Sequence, residues 1–131
     1  MNKDDRVRIF TTLGEEFNKR CAADPTFKHN VQHFCKTLQV TVSDVGETYY
    51  VSVEHGHASP LFEGVAPRAD IFLSAPMKKI LAILVGQIPP IRIIMEPDIR
   101  IRGSPPDLMF INKFLLKETP RIRELIKSMH L

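Results

Sequence analysis

Residues 69–104 read ADIFLSAPMKKILAILVGQIPPIRIIMEPDIRIRGS and set the architecture of this chain. Apolar residues alternate with others from Ala69 to Ser74, which is the pattern of a strand. Pro76 suits the first position of a helix, and the wide apolar face that follows it ends at Gly86. Two prolines then interrupt the helical pattern, and alternation returns from Ile99 to Arg102. These residues therefore predict a strand, a helix, a short irregular segment and a further strand, in that order.

Helix patterns lie on both sides of this region. Apolar residues from Asp4 to Ala23 fall three or four positions apart, which predicts an amphipathic helix. Asp24-Pro25 begins a second short helix that runs to about Lys36. Beyond residue 104, apolar spacing predicts one helix over 108–115 and a last one that Thr119-Pro120 begins.

Strand patterns lie between the two sets of helices. Apolar and polar residues alternate over 38–42 and again over 49–53, with a turn at 44–47 between them. A weaker third strand covers Ala58 to Gly64. Strands spaced this closely favour an antiparallel meander. With no internal repeat and no linker, residues 1–131 are predicted to form a single α+β domain.

The composition excludes several classes of protein. The chain has 131 residues, 44% hydrophobic and 25% charged, which fits one globular domain. Two cysteines are too few for a disulfide scaffold, and the polar residues after Met1 do not form a secretory signal, so a cytoplasmic location is expected. The longest apolar stretch, 80–91, is too short and too rich in proline to span a membrane. A net charge of +3 is no nucleic-acid signature.

Three segments together resemble the signature of the sterol carrier protein 2 family of small lipid-binding domains. They are Ala69-Asp70-Ile71-Phe72-Leu73-Ser74, then Leu81, Leu84, Gly86-Gln87 and Pro90, and finally Ile99-Arg100-Ile101-Arg102-Gly103. Tyr49 to Val53 followed by Gly56 is also similar to a strand and turn of that family. The likeness covers the chain from Leu38 to its end, although Pro97 stands where a glycine is usual and Phe72 replaces a small polar residue.

This resemblance implies a five-stranded, mostly antiparallel sheet covered by helices that enclose an apolar lipid tunnel. The implied function is non-enzymatic binding and transfer of a sterol-like, isoprenoid or fatty-acyl lipid, with no cofactor. Apolar residues of the predicted strands and helices are the candidates for the tunnel lining, and each of them also fits a role in the core alone. The candidates are Tyr49, Val51, Ile71, Leu73, Leu81, Leu84, Ile88, Ile91, Ile94, Met95, Ile99, Ile101, Phe110 and Phe114.

Residues 88–95, which we name the lip, form a short apolar segment with two prolines. Such a segment beside Gly86 is suited to open for a lipid tail, whose burial contributes about 0.8 kcal/mol per methylene. The same segment also fits a plain connection between two elements.

Metal and catalytic sites receive little support from the sequence. His29 and His33 are four apart on a predicted helix and His55 and His57 flank a glycine, but solvated surface histidines explain both pairs. No Gly-x-Ser-x-Gly motif or phosphate-binding glycine loop occurs. Cys35 is expected to be a buried, inert thiol. The sequence therefore predicts neither a metal site nor an enzyme.

Basic residues are concentrated in the last third of the chain. They suit transient contact with an anionic membrane surface, or simply a solvated face. Few aromatic side chains are available on which bases could stack, which argues against binding of nucleic acid. Two alternatives to lipid transfer stay open: an accessory module that holds a partner, with a homodimer among the options, or a domain that presents lipid to a separate enzyme. The basic residues are Arg92, Arg100, Arg102, Lys113, Lys117, Arg121, Arg123 and Lys127.

Overall fold

Five helices and six strands are present in residues 1–88, 90–93 and 95–129, the part of the chain that the computed structural model describes, with the side chains of Pro90 and Ile91 excepted. The predicted tunnel residue Ile94 and the side chain of Ile91 thus lie outside the described part. The helices are α1 (Lys3–Ala23), α2 (Pro25–Val31), α3 (Met77–Leu84), α4 (Pro90–Ile93) and α5 (Pro105–Ser128). The strands are β1 (Lys36–Val42), β2 (Glu47–Glu54), β3 (His57–Ala58), β4 (Phe62–Glu63), β5 (Ile71–Ala75) and β6 (Arg100–Arg102).

The strands form one sheet in the order β3-β2-β1-β5-β6, with β4 also paired to β2. All of these pairings are antiparallel except β1 with β5, which is parallel. The prediction of a mostly antiparallel sheet covered by helices is confirmed, but a simple meander is wrong. Two hydrogen bonds between residues far apart in the sequence explain the difference. The Thr37 N–H donates to Asp70 Oδ2 at 2.9 Å, and the Asp70 N–H donates to the Thr37 carbonyl at 2.9 Å. Asp70 thereby places β5 against the free edge of β1.

The predicted third strand is divided in two. Its ends pair with β2 as β3 and β4, and between them the backbone bonding stops after the Ser59 N–H, which donates to the Ser52 carbonyl at 2.9 Å. Pro60 has no N–H to donate to a ladder. The Ser59 hydroxyl, in place of the Ser59 carbonyl, accepts a hydrogen bond from the Ser52 N–H at 2.9 Å. A single strand from Ala58 to Gly64 is therefore wrong.

Local capping explains the first two helices. Asn2 and Asp5 form a capping box at the start of α1. The Asp24 side chain accepts from the Phe27 N–H at 3.1 Å and begins α2, as its sequence predicts. This helix ends at Val31 instead of near Lys36 because Lys36 already pairs with Val53 in the sheet.

One continuous helix, α5, replaces the two helices predicted after residue 104. Pro120 lies inside it, although a Thr-Pro pair has the appearance of a helix start. The Thr119 hydroxyl donates to the Leu115 carbonyl at 2.9 Å. Phe114 and Ile122, on either side of the proline, are both buried, so core packing favours continuity over the local proline penalty.

The core lies between the sheet and the helices as two clusters. The larger cluster joins α1, the sheet, α3 and α5, and its buried members are Ile9, Phe10, Val42, Tyr49, Ala75, Met77, Ile80, Leu84, Ile99 and Ile122. The aromatic cluster joins α1, α2, β2 and α5, and its buried members are Phe17, Cys21, Val31, Val53, Ala58 and Phe114, with Phe27, Phe34 and Phe110 partly buried against them.

Candidate functional site

The larger cluster collects many of the predicted tunnel residues from distant parts of the chain. Tyr49 and Leu84 are 1% and 5% exposed at its centre, with Ile99 buried beside them. Alternation in the strands and 3.6-residue spacing in α3 place these side chains on the faces that meet. The predicted residues that belong to or pack against this cluster are Tyr49, Leu73, Leu81, Leu84, Ile88 and Ile99.

Other predicted tunnel residues lie elsewhere. Phe110 and Phe114 belong to the aromatic cluster, where Phe27 stacks on both rings at 6.3 to 6.4 Å between centroids. Ile71 is buried and Ile101 half-buried, while Met95 is 76% exposed. The structure thus places part of the predicted lining in the two clusters and part outside both, and a continuous tunnel stays a prediction.

A pocket of about 390 Å³ lies between α1 and the edge of the sheet. Its volume is within the range of small-molecule sites, and most of its walls are apolar. Phe10 and Leu61 belong to both this pocket and the larger cluster, so core side chains form part of the pocket wall. Of the predicted tunnel residues, Val51 alone contributes to it. The lining residues are Val7, Phe10, Thr11, Gly14, Glu15, Val51, Ser59, Pro60 and Leu61.

Sequence reasoning missed the α1 wall of this pocket. One signal was available, because Gly14 lies in the middle of α1, where glycine costs about 1 kcal/mol relative to alanine. A Cβ at this position would lie 4.0 Å from the Ala58 Cβ and from the Ser59 carbonyl oxygen, an ordinary contact distance. The glycine therefore leaves room beside the sheet without being required for the close approach of α1.

The lip covers another part of the larger cluster. Gly86 ends α3 in the left-handed region, and the Gln87 N–H donates to the Ala82 carbonyl at 2.8 Å. Ile88 and Ile93 then pack against the cluster. Among the described residues of the lip, these two side chains cover this part of the larger cluster.

Polar contacts join the residues that follow the lip to α3. Lys79 Nζ lies 2.6 Å from Glu96 Oε2 and 3.9 Å from Asp98 Oδ1. The hydrogen bond between Lys79 and Glu96 raises the pKa of the lysine and lowers the pKa of the carboxyl. Both groups are therefore charged at neutral pH, and the tie is an ion pair accessible to water.

The four predicted surface histidines are exposed, and no group of three or more metal-ligating side chains comes together in the described residues. The cysteine prediction was wrong in part. Cys35 is exposed, because α2 ends before it, whereas Cys21 is buried and burial raises the pKa of its thiol. No helix within the described ranges is both long and apolar enough to cross a membrane.

Comparison with known families identifies the fold. Residues 16–115 match the family model of the SCP-2 sterol transfer family, which includes the whole sheet and the first half of α5. The chain belongs to the SCP-2 sterol transfer family. The resemblance seen in the sequence is thereby confirmed, and membership in the SCP-2 family supports lipid binding and transfer in general.

Solved structures agree with SCP-2 membership. The UbiJ-SCP2 ubiquinone synthesis protein has a TM-score of 0.62 at 13% identity, over 79% of this chain and 90% of that one. A crystal structure of sterol carrier protein 2 has a TM-score of 0.53 at 13% identity, over 86% and 93%. Palmitated SCP2L2 from Aedes aegypti has a TM-score of 0.52 at 17% identity, over 79% and 91%. At these identities the likeness shows the fold alone.

An SCP-2 fold also occurs within a larger enzyme. The sec-alkylsulfatase Pisa1 from Pseudomonas sp. matches 67% of this chain with a TM-score of 0.55 and 13% identity. The chain spans only 13% of that sulfatase. No curated protein sequence matches the chain.

Proposed function

We propose that this SCP-2 domain is a non-enzymatic lipid carrier that binds the apolar part of a sterol-like, isoprenoid or fatty-acyl ligand between its sheet and its helices. The observation that carries the proposal is the pocket between α1 and the sheet, which has mostly apolar walls and shares Phe10 and Leu61 with the larger cluster. A tail that enters there passes Phe10 and Val51 and continues toward Tyr49 and Leu73.

Entry of a tail requires the larger cluster to expand. We expect the lip to be the part of its cover that moves, since the ion pair between Lys79 and Glu96, the residue after the lip, can break in water at little cost. Each methylene that leaves water contributes about 0.8 kcal/mol, so an acyl chain can supply the free energy of opening. Specificity then follows from the shape of the apolar space, and polar contacts have a minor role.

The first test is what the protein carries when purified without detergent. Native mass spectrometry followed by organic extraction is expected to find a bound lipid, and a fluorescent fatty acid is expected to bind the delipidated chain. A chain that comes off empty and does not bind the fatty acid contradicts the proposal. That outcome favours the accessory role, in which the same fold holds a partner protein or presents lipid to a separate enzyme.

The pocket itself is tested by two substitutions at Gly14. Gly14→Leu places a branched side chain between α1 and the Ser59 loop, and we expect it to reduce fatty-acid affinity about tenfold or more, the effect of losing burial of two methylenes. Gly14→Ala is the matched control, because a Cβ fits at 4.0 Å and better helix propensity raises stability by up to about 1 kcal/mol. Equal affinities of the two variants would place the ligand elsewhere.

A further inference from the structure

The sheet has a second face, which points away from both core clusters and which we name the outer face. The larger cluster takes Val42, Tyr49 and Ala75 from the strands, so the residues next to them along each strand point the opposite way. Among the described residues, neither cluster includes a side chain of the outer face. One row of this face crosses five strands by direct pairing, in the order Phe62, Tyr50, Gln39, Phe72 and Arg102.

Apolar side chains of the outer face are exposed to water. Phe62 is 44% exposed, and its ring centroid lies 5.3 Å from that of Tyr50. Segment 64–69 crosses the middle of the face, where one of its N–H groups donates to Gln39 Oε1 at 2.9 Å. Val65 in this segment is 75% exposed. Exposed apolar side chains that are grouped in this way are typical of a surface that binds another molecule.

Three exposed arginines accompany these apolar side chains. Arg100 and Arg102 are two positions apart on β6, so both point to the outer face, and Arg68 belongs to the segment that crosses it. Within the described ranges, none of the three forms an ion pair. The Arg102 guanidinium also lies 5.7 Å from the centroid of the Phe72 ring. Their positive charge is therefore uncompensated and favours a partner with carboxylates.

The hydroxyl groups of the outer face already bond to one another. The Thr41 and Thr48 hydroxyls share a hydrogen bond at 3.0 Å, and those of Thr37 and Ser52 share one at 3.3 Å. Burial of a polar group is costly mainly when the group loses its hydrogen-bond partner. A molecule that covers this face leaves these hydroxyls satisfied, so the free energy of desolvation opposes binding only weakly.

We propose that the outer face binds a protein partner through a surface that presents two carboxylates about 7 Å apart beside apolar side chains. The spacing follows from Arg100 and Arg102, because residues two apart on a strand are separated by two rises of about 3.3 Å. Each carboxylate pairs with one of these arginines, and the apolar side chains pack against Phe72 and Val65.

The residue types of the outer face favour a protein over a lipid surface. Arginine and aromatic residues are enriched in protein interfaces, whereas lysine is depleted there. The described residues of the outer face include no lysine, while the exposed side of α5 carries Lys113 and Lys117. A second copy of the chain is disfavoured, because its arginines have the same charge. The proposal does not rest on lipid binding, since the outer face shares no residue with the apolar pocket.

Photocrosslinking in cells that produce the chain identifies the partner. A p-benzoylphenylalanine in place of Val65 is expected to trap one protein, whereas the same group in place of Leu116, which is exposed on α5, is expected not to trap it. Three outcomes overturn the proposal: a lipid trapped at position 65, a second copy trapped there, or no protein trapped in excess of the Leu116 control.

Binding of the purified partner to the full chain tests the arginines. Arg102→Glu is expected to weaken binding about tenfold or more, because a carboxylate then faces the carboxylates of the partner. Arg8→Glu, at an exposed residue of α1, is the matched control and should keep the original affinity. Replacing a carboxylate of the partner with arginine is expected to restore binding to Arg102→Glu. Equal affinity of the two variants, or no restoration by any such replacement, would overturn the proposal.

Val65→Ser tests the apolar contact without a change of charge. The side chain is 75% exposed, so the fold is expected to persist while the affinity for the partner falls severalfold. An unchanged affinity would contradict the apolar contact. Gly14→Leu, in the apolar pocket, is expected to leave binding of the partner unchanged, so failure of this surface and failure of lipid binding are separate results.

Discussion

Glu47 connects the first helix to the sheet through a network of three side chains. Arg6 donates from Nε and Nη2 to the two carboxylate oxygens at 2.8 and 2.7 Å, and the Tyr49 hydroxyl donates to Oε1 at 2.8 Å. The hydrogen bonds from Arg6 are the main reason that the pKa of Glu47 falls to about 2. Burial, and then Glu47 itself, raises the pKa of Tyr49, so the phenol remains a donor at physiological pH.

The lowered pKa of Glu47 predicts a loss of stability in acid. Above pH 4.5, its usual value, the carboxylate is charged in both states and the folded network contributes about 2 kcal/mol to the free energy of unfolding. As pH falls from 4.5 toward 2, the unfolded chain takes up a proton that the folded chain resists, and this contribution disappears. Glu47→Gln is therefore expected to be less stable than the original chain at pH 7, with the difference vanishing near pH 2.

Urea unfolding at pH 7 and at pH 2.5 measures this difference. Glu54→Gln, at the exposed end of the same strand, is the matched control and should have a small effect on the free energy of unfolding. The contrary result is that Glu47→Gln differs from the original chain by the same free energy of unfolding at both pH values. That result would mean that packing, not the ion pair, connects α1 to the sheet here.

The C-terminal part of α5 is held by contacts that differ from those of its first half. Pro120 has no N–H to donate to the Leu116 carbonyl, so the helix lacks one backbone bond at its middle. Beyond it, Arg123 donates from Nε and Nη2 to the Val85 carbonyl at 3.0 and 2.8 Å. The guanidinium thereby joins the end of α5 to the end of α3, next to the lip.

Arg123→Ala is expected to loosen the last turns of α5 without unfolding the domain. Two hydrogen bonds of about 1 kcal/mol each are lost, so amides after Pro120 should exchange roughly ten times faster or more, while the melting temperature changes little. Lys127→Ala, an exposed cation on the last turn, controls for the loss of charge. If exchange beyond Pro120 is the same in both variants, the Val85 contact does not hold this helix.

The sequence predicts where the helices and strands lie better than it predicts which strands pair with each other. Alternation in 38–42, 49–53 and 69–74 locates three strands, because side-chain period depends on local backbone geometry. The parallel pairing of β1 with β5 depends on Thr37 and Asp70, which are 33 positions apart, and no local pattern encodes it. Likewise, Thr119-Pro120 has the local form of a helix start, and only the burial of Ile122 shows that the helix continues.

The candidate site was predictable to a similar extent. The spacing of apolar residues along the sequence identifies side chains that point into the core, such as Tyr49 and Leu84. It does not show where a pocket lies between the helices and the sheet. That space depends on how closely α1 approaches β2, and a missing side chain at Gly14 sets part of it.

At the scale of the whole molecule, α5 presents an exposed face that combines apolar and basic residues. Met109 and Leu116 are 60% and 58% exposed and lie two turns apart, with Lys113 between them and Lys117 beside them. The net charge of +3 has the sign that anionic lipids attract. We propose that this face contacts an anionic membrane during lipid exchange.

Sedimentation with phosphatidylglycerol vesicles tests this contact. Binding is expected to exceed that to phosphatidylcholine vesicles and to fall as salt rises, since each lysine near the surface contributes about 1 kcal/mol that ions screen. The double substitution Met109→Ser with Leu116→Ser should weaken it severalfold. Val45→Ser, at a partly exposed apolar residue in the β1–β2 turn, is the control, and an equal effect there would contradict docking through α5.

The position of β1 between an antiparallel and a parallel neighbour has a consequence for biosynthesis. Its pairing with β2 closes through a short turn, so this hairpin can form as soon as Glu54 has been synthesised. The other edge of β1 stays unpaired until β5 is present, because the partner of Thr37 is Asp70. Closing a loop of this length is also slower than closing the hairpin turn. During that interval the nascent chain exposes a row of unpaired N–H and C=O groups on its most central strand, which is where association with another chain would begin.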